Sequence, residues 1–394
     1  MMVKNKTIEY FKTFFDVSQT IFSSLSLKHI LKILVRKAVS TLGTKAGSLR
    51  LVNEKTNRLE LVASQNLSRK YLKKGPLSTD RSIPEVLEGK VVLIKDASTD
   101  SRVQYRSEKS EEGINTILSV PLVAKNKVIG VLRLYSGEPR DFSDEEIEFV
   151  SALAEMGGLA IANAKIYEDE GIKLSSLLNE VGIELPAEPK EAKRRLRPFT
   201  LEPVDPSQSL EYFRILHEVT RTILSSLESR QVIDFVIEKV IAIMHVKACS
   251  IRLINETTRE LEMVASKGLS EGYLKKGPLH IDKSIRETLD GVPVLIRDAK
   301  SDPRIQYSSE KATEGIVSIL SLPIIARKRV IGILRLYTKE TRDYSREDVA
   351  FLSALAEMAG VAIINARMYE KTKYDLSFWK TTLGYLDIAA DKNK

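Results

Sequence analysis

The chain carries the same sequence pattern twice, and that repeat limits its fold more than any other feature. The stretch Val128-Ile-Gly-Val-Leu-Arg-Leu-Tyr135 returns as Val330-Ile-Gly-Ile-Leu-Arg-Leu-Tyr337, 202 positions on (330 − 128). The same offset carries Arg50 to Arg252, Gly75-Pro76 to Gly277-Pro278, Asp96-Ala97 to Asp298-Ala299 and Gln104-Tyr105 to Gln306-Tyr307. It also carries Pro121 to Pro323 and the run Ser151–Met156 to Ser353–Met358, with no gap between them. A repeat this long means a duplicated domain, each copy large enough to bury its own core. The expected division is a first domain over 1–180, a charged, Pro-rich linker over 181–208, a second domain over 209–376 and a tail over 377–394.

Hydrophobic period places the elements within a copy. Ile8, Phe11, Phe15, Ile21, Phe22 and Leu25 recur at helical spacing, and Ile30, Leu31, Leu34, Val35, Ala38 and Leu42 line one face of a second helix over about 28–42. The period then falls to two, and 48–53 and 58–64 read as a hairpin around Glu54–Asn57. A short helix from a Ser82 cap to Glu88, a strand over 91–94 and a polar loop with a short helix over 96–113 follow. A second hairpin, 116–124 with 128–135, leads to a long helix capped by Ser143, whose acidic first turn suits the helix dipole. The small residues Gly157-Gly158 would let that helix approach a neighbouring helix closely. The second copy repeats the order with five strands and two intervening short helices, from a helix starting near Ser209 to one starting at Ser345. The fold class is α+β, two α/β/α sandwich domains each with a central antiparallel sheet flanked by helices.

Charge and cysteine content exclude several functions. The net charge of +8 is spread evenly, with 27 Lys+Arg against 23 Asp+Glu over 1–180, 5 against 5 over 181–210 and 29 against 25 over 211–394. Nucleic-acid binders concentrate such charge on a stripe, so Lys73-Lys74, Lys275-Lys276 and the run Lys193–Arg197 read as solvated surface and tether. A single cysteine, Cys249, leaves no disulfide framework or multi-cysteine metal site and reads as a small buried hydrophobe. The start of the chain has no apolar core of a signal peptide, and no stretch suits a membrane span, so a cytoplasmic protein is expected. His29, His217, His245 and His280 are scattered, no nucleophile–base pair is visible, and no metal or cofactor is named by the sequence. Tyr135, Tyr167 and Trp379 read as core or helix-contact residues.

In this order of elements, Gly130-Val-Leu-Arg-Leu-Tyr135 before Phe142-Ser-Asp-Glu-Glu146, then Ala152–Met156 and Ala160–Tyr167, resembles the GAF domain family. Gly332–Tyr337, Ala354–Met358 and Val361–Tyr369 carry the resemblance in the second copy. It implies a sensory or regulatory fold rather than an enzyme, without deciding the ligand. Bilin-binding members attach their chromophore through a loop cysteine, whereas Cys249 opens a strand. Cyclic-nucleotide members carry an Asn-Lys … Phe-x-x-x-Asp-Glu signature that Asn126-Lys127 and Phe142 with Glu146 match in part, and Lys328-Arg329 and Tyr344 do not. Methionine-sulfoxide reductase members need several cysteines.

Strand alternation puts Ser48 and Arg50 on one face, and Val131, Arg133 and Tyr135 on one face. A hairpin centred near Asn126 sets Ser119 opposite Arg133, and a GAF-like sheet would bring Arg50 beside Arg133. Arg252, Arg335 and Ser321 repeat the pattern. Buried guanidiniums need anionic partners. The commoner solution is a cross-strand salt bridge to Glu60 and Glu262; the alternative is a small anionic ligand held by the arginine forks. Asp96, Arg102, Gln104 and Tyr105, with Asp298, Arg304, Gln306 and Tyr307, lie in the segment that the resemblance implies to lid such a pocket, although Asp96 and Asp100 also suit turns. The expected function is a sensory, small-molecule-binding homodimer whose output comes from a partner protein such as a kinase or regulator, with no output domain after residue 394. The rival is an interaction or dimerisation module that binds no ligand.

Overall fold

Alternation along the strands gives each sheet one wholly apolar face and one mixed face, and the helices settle on the first. The computed structural model describes residues 2–23, 27–75, 77–79, 84–124, 127–180, 206–225, 229–255, 257–281, 285–326 and 329–364. Residues 181–205 of the linker expected over 181–208, and the tail with Trp379, lie outside the described residues.

The first copy runs α1 (Met2–Ser23), α2 (Leu27–Leu42), β1 (Ala46–Asn53), β2 (Arg58–Gln65), α3 (Arg69–Leu72), β3 (Leu77–Ser78), α4 (Pro84–Leu87), β4 (Val92–Ile94), α5 (Arg106–Glu111), β5 (Thr116–Ala124), β6 (Lys127–Ser136) and α6 (Asp144–Glu180). The second runs α7 (Pro206–Ser225), α8 (Ser229–Met244), β7 (Ala248–Asn255), β8 (Glu260–Lys267), α9 (Glu271–Leu274), β9 (Leu279–His280), α10 (Arg286–Leu289), β10 (Val294–Ile296), α11 (Ser308–Thr313), β11 (Ser318–Ala326) and β12 (Arg329–Thr338). A closing helix, α12, spans 346–364. The sheets have six strands rather than the expected five, in the order β3-β2-β1-β6-β5-β4 and its repeat β10-β11-β12-β7-β8-β9. The additional strands β3 and β9 are two residues long, too short to show a period. The helices α3 and α9, four residues each, were missed for the same reason.

On the apolar face, Leu49, Leu118, Val120, Leu122, Leu132 and Leu134 pack with Ile30, Leu31, Leu34, Val35, Ala38 and Val39 of α2 and with Leu153 and Met156 of α6. The long helix starts at a capping box, where the Ser143 hydroxyl accepts from the Glu146 amide (3.3 Å) and the Glu146 carboxylate accepts from the Ser143 amide (3.2 Å). Ser345 and Asp348 repeat it in the second copy. Gly158 places α6 directly on β5, because a Cβ there would collide with the Val123 carbonyl. The close approach expected between helices is therefore largely an approach of helix to strand.

Between the copies, α1 packs against α7 in one continuous core. Phe14 meets Phe213 edge-on at 5.3 Å, Phe11 meets Tyr212 at 6.0 Å and Phe149 meets Phe213 at 6.3 Å. The contact is polar at its rim, where the His217 ring lies 2.8 Å from the Glu155 carboxylate and Arg214 reaches Glu148 at 3.5 Å.

Candidate functional site: a buried cation cluster in each copy

The mixed face of each sheet is built from the middle strands. Arg133 on β6 stands in register between Ser48 on β1 and Ser119 on β5, so all three point the same way. Arg50, two residues beyond Ser48, shares the face. Arg50 is 6% exposed, Arg133 2% and Ser119 0%. Gly130 makes this packing possible, since a Cβ there would strike the Arg50 carbonyl.

The loops close over the face with more cations. Lys74 follows α3, whose Tyr71 is buried, and its ammonium sits 3.0 Å from the centre of the Tyr71 ring. Lys109 of α5 is 2% exposed and donates to the Gln104 carbonyl. Tyr71 stands edge-on to Tyr135 at 6.4 Å, and the Tyr135 hydroxyl lies 2.8 Å from that of Ser48. The cluster thus draws Arg50, Lys74, Lys109 and Arg133 from four separate segments. The second copy assembles the same set: Arg252, Lys276, Lys311 and Arg335, with Tyr273, Tyr337, Ser250 and Ser321.

Arg50 donates from one terminal nitrogen to the Leu59 carbonyl at 3.1 Å, as Arg252 does to Leu261 at 3.0 Å. Among the described residues, Nε of Arg50 and of Arg252, Nζ of Lys74 and the hydroxyls of Ser119 and Ser321 are buried without a hydrogen-bond partner. Burial, then Arg50, Lys109 and Arg133, bring the Lys74 ammonium down to about 6. Burial, then Arg133 and Arg50, bring Lys109 down to about 7. Lys276 and Lys311 fall to about 7 for the same reasons. Burial also lowers Arg133 and Arg252 from the ordinary arginine value and raises the Tyr71 and Tyr273 phenols. Like charges in a low dielectric each disfavour the other's ionised form, and burial disfavours all of them.

The salt bridge expected from Glu60 and Glu262 does not form among the described residues. A bulge shifts the β1–β2 register between Leu49 and Arg50, so that Arg50 faces Leu61 and Glu60 faces Leu51. One extra residue turns every later side chain to the other face. Glu60 accepts from the Asn53 amide at 2.6 Å, and Glu262 from Asn255 at 2.6 Å, both in exposed positions.

The remaining residues singled out from sequence divide into two groups. Gln104 and Tyr105 belong to the layer over the cluster. The Gln104 side chain accepts from the Ser78 amide at 3.2 Å, and Tyr105 holds a left-handed backbone, φ 57° and ψ 52°. Gln306 and Tyr307 repeat this, with φ 59° at Tyr307, whose hydroxyl donates to the Pro278 carbonyl at 2.9 Å. A tyrosine held in this region by its surroundings is strained, and here it aims α5, and with it Lys109, at the sheet. Asp96 and Arg102 stay outside the cluster. Asp96 accepts from the Ser98 hydroxyl (2.6 Å) and the Thr99 hydroxyl (2.9 Å), while Arg102 spans Asp100 (2.7 Å) and Glu85 (3.1 Å). Asp298 and Arg304 are held likewise by Ser301, Asp302 and Glu287. Sequence reasoning left Lys109 and Tyr71 aside, read Lys74 as solvated surface, placed Ser48 on this face without making it a site residue, and took Tyr135 for core. Their unchanged identity in the second copy, as Lys276, Lys311, Tyr273, Ser250 and Tyr337, was the available signal.

A family model for the GAF domain matches residues 24–162 and 226–364. The chain belongs to the GAF domain family, with two copies in tandem, and GAF domains generally serve sensory or regulatory roles in signalling. Among curated relatives, a phosphoenolpyruvate-dependent phosphotransferase system protein of Escherichia coli is 24% identical over 149 residues, 37% of this chain and 20% of that protein. A formate hydrogenlyase transcriptional activator of Salmonella typhimurium is 20% identical over 259 residues, 64% of this chain and 33% of the activator. The chain therefore spans a third or less of the length of these relatives. Among solved structures, the GAF domain of a Coxiella burnetii phosphoenolpyruvate-protein phosphotransferase is 24% identical with a TM-score of 0.39, covering 41% of this chain and 98% of that one. The corresponding Acinetobacter domain is 26% identical with a TM-score of 0.35, covering 39% and 93%. Among the described residues no helix is long and apolar enough to cross a membrane, and no group of three or more His, Cys, Asp or Glu gathers as for a metal ion.

Proposed function

We propose that this chain is a cytoplasmic sensory protein of signal transduction, without a reaction of its own, in which each GAF copy binds a small anionic molecule. One observation carries the reading: two arginines and a lysine buried together with a half-buried second lysine in each copy, and Glu60 and Glu262 turned away from them. Buried charge is costly unless it is paired, and a bound anion would meet the Arg50 Nε and Lys74 Nζ, and the Arg252 Nε of the second copy, which have no hydrogen-bond partner among the described residues.

The sheet is the layer that would pass on the ligand's presence. Ser48, Arg50 and Arg133 face the cluster, while Leu49, Leu132 and Leu134 between them pack on α2 and α6. A ligand biases helix packing only by its differential affinity for two arrangements. The output would come from a partner such as a kinase or regulator; the phosphotransferase-system and activator relatives are longer chains, which supports a GAF region working beside other modules. The aromatic layer between α1 and α7 favours a second reading, an interaction module without a ligand, whose helix pairing is made within one chain. Isothermal titration of Arg50→Ala/Arg133→Ala decides between them. Loss of anion binding in the first copy supports sensing, and binding unchanged by the substitutions contradicts it.

A further inference from the structure

The four cations of the first copy differ in how far the protein itself engages them. Lys109 donates to the Gln104 carbonyl, and the Arg133 guanidinium has the Tyr135 hydroxyl as a partner. Arg50 and Lys74 are less engaged. Arg50 is 6% exposed and donates from Nη1 to the Leu59 carbonyl at 3.1 Å, while its Nε has no hydrogen-bond partner among the described residues. The Lys74 ammonium lies over the Tyr71 ring at 3.0 Å, and its nitrogen is likewise without a hydrogen bond among the described residues. Of the charged groups around Lys74, Arg50 acts on it most strongly. Glu112 acts on Lys74 from the end of α5, but its oxygens are held by the Ser68 amide at 2.8 Å and hydroxyl at 2.5 Å. Glu108, which acts on Lys109, accepts from the Ser107 hydroxyl at 2.8 Å.

A guanidinium is a rigid plane of N–H donors. With Nη1 tied to the sheet, the fork that remains on Arg50 is its side edge, Nε with the adjacent Nη2, and such an edge matches two oxygens of one carboxylate or phosphate. We infer that in the first copy the ligand is a small oxyanion seated on the side edge of Arg50 and capped by Lys74, an inference that rests on the reading of this face as an anion site. Arg133 and Lys109 line the seat with their own bonds already made. The second copy offers the same edge, because Nη1 of Arg252 is tied to the Leu261 carbonyl at 3.0 Å and its Nε has no hydrogen-bond partner among the described residues. There Tyr337 acts on Arg252, and Lys276 reaches the Tyr273 carbonyl at 3.4 Å, so the first copy is the one in which both groups await a partner.

The test is calorimetric titration of the full chain, stripped of ligand, at constant ionic strength. Acetate serves as a planar oxyanion, phosphate as a tetrahedral one, and chloride as an anion with no second oxygen to offer. Acetate or phosphate should bind more tightly than chloride, and the tighter of the two distinguishes a carboxylate from a phosphate ligand. Arg50→Lys keeps the charge and removes the fork. It should weaken one equivalent roughly ten- to a hundredfold, the scale of one charge-assisted hydrogen bond, and leave the other equivalent unchanged. Lys74→Met should weaken the same equivalent without lowering the melting temperature, which decides the matter if Arg50→Lys fails to fold. Chloride bound as tightly as both oxyanions, or either variant binding like the parent chain, overturns the inference and keeps the anion site. No binding of any of the three anions overturns both.

Discussion

The two copies keep the face that encloses their cations unchanged and diverge at several positions of the helices around it. On the mixed face, Ser48, Arg50, Tyr71, Lys74, Lys109, Ser119, Arg133 and Tyr135 all recur unchanged 202 positions on. On the helices the pairs diverge: Phe14 becomes Leu216, Phe15 becomes His217 and Glu146 becomes Asp348. Glu146 holds Lys6 (3.1 Å) and Arg140 (3.0 Å), whereas Asp348 accepts from the Tyr212 hydroxyl at 2.5 Å. A symmetric pair of copies would need no such divergence. The helices have adapted to different neighbours, while the cation clusters have kept one chemistry.

The comparison breaks most easily at the interface. Phe213 packs on Phe14 and Phe149 of the first copy, so Phe213→Ala should cost about 3–5 kcal/mol in urea unfolding, the usual range for emptying a buried phenylalanine site. It should also separate one transition into two as the copies lose their shared core. Arg50→Ala/Arg133→Ala should weaken anion binding in the first copy by about 2–5 kcal/mol, the range for truncating one side of a buried charge pair. The second copy should keep its affinity. Titration checks both.

Lys74→Met and Lys276→Met sharpen the comparison in the opposite direction. Each lysine is half-buried with its ammonium brought down to about 6 or about 7, so an apolar chain of similar length should stabilise the ligand-free protein, by about 1–4 kcal/mol at most, and equally in both copies. Denaturant melts of the two variants read this directly.

Proton linkage gives a smaller effect. Lys74 and Lys109 drop to about 6 and about 7 from the ordinary 10.5, so from about pH 7 to 10.5 the unfolded chain binds more protons than the folded one. Stability of the ligand-free protein should therefore rise with pH across that window and stay at its lower level below about 6. A falling or flat melting curve between pH 7 and 9 would contradict this. The smallest effect is expected outside the cluster. Asp96→Asn and Arg102→Ala should each change stability little, because exposed polar contacts contribute little, and leave two equivalents of anion bound.

Much of this architecture was legible before any coordinates. Helical period found α2 and α6 to within a residue or two, and alternation found both hairpins. It also placed Ser119 opposite Arg133, because the register of a tight hairpin follows from its turn. The Glu60 partnership failed because a bulge leaves no mark in a strand whose residues still alternate, and one inserted residue reverses the face. Asp96 and Arg102 were grouped with the site by position in the loop, yet side chains that can satisfy each other locally do so. Lys74 and Lys109 were obscured by residue type. Lysines in a loop and on a short helix read as solvated, and only the convergence of four segments buries Lys109 and half-buries Lys74.

Native mass spectrometry of the gently purified full chain asks whether the cation cluster of each copy holds an anion. The expected spectrum carries extra mass corresponding to two molecules of one anionic compound per chain, falling to one in Arg50→Ala/Arg133→Ala and to none when Arg252→Ala/Arg335→Ala is added. A chain of bare mass that also shows no change in melting temperature with sulfate, phosphate or succinate would contradict it.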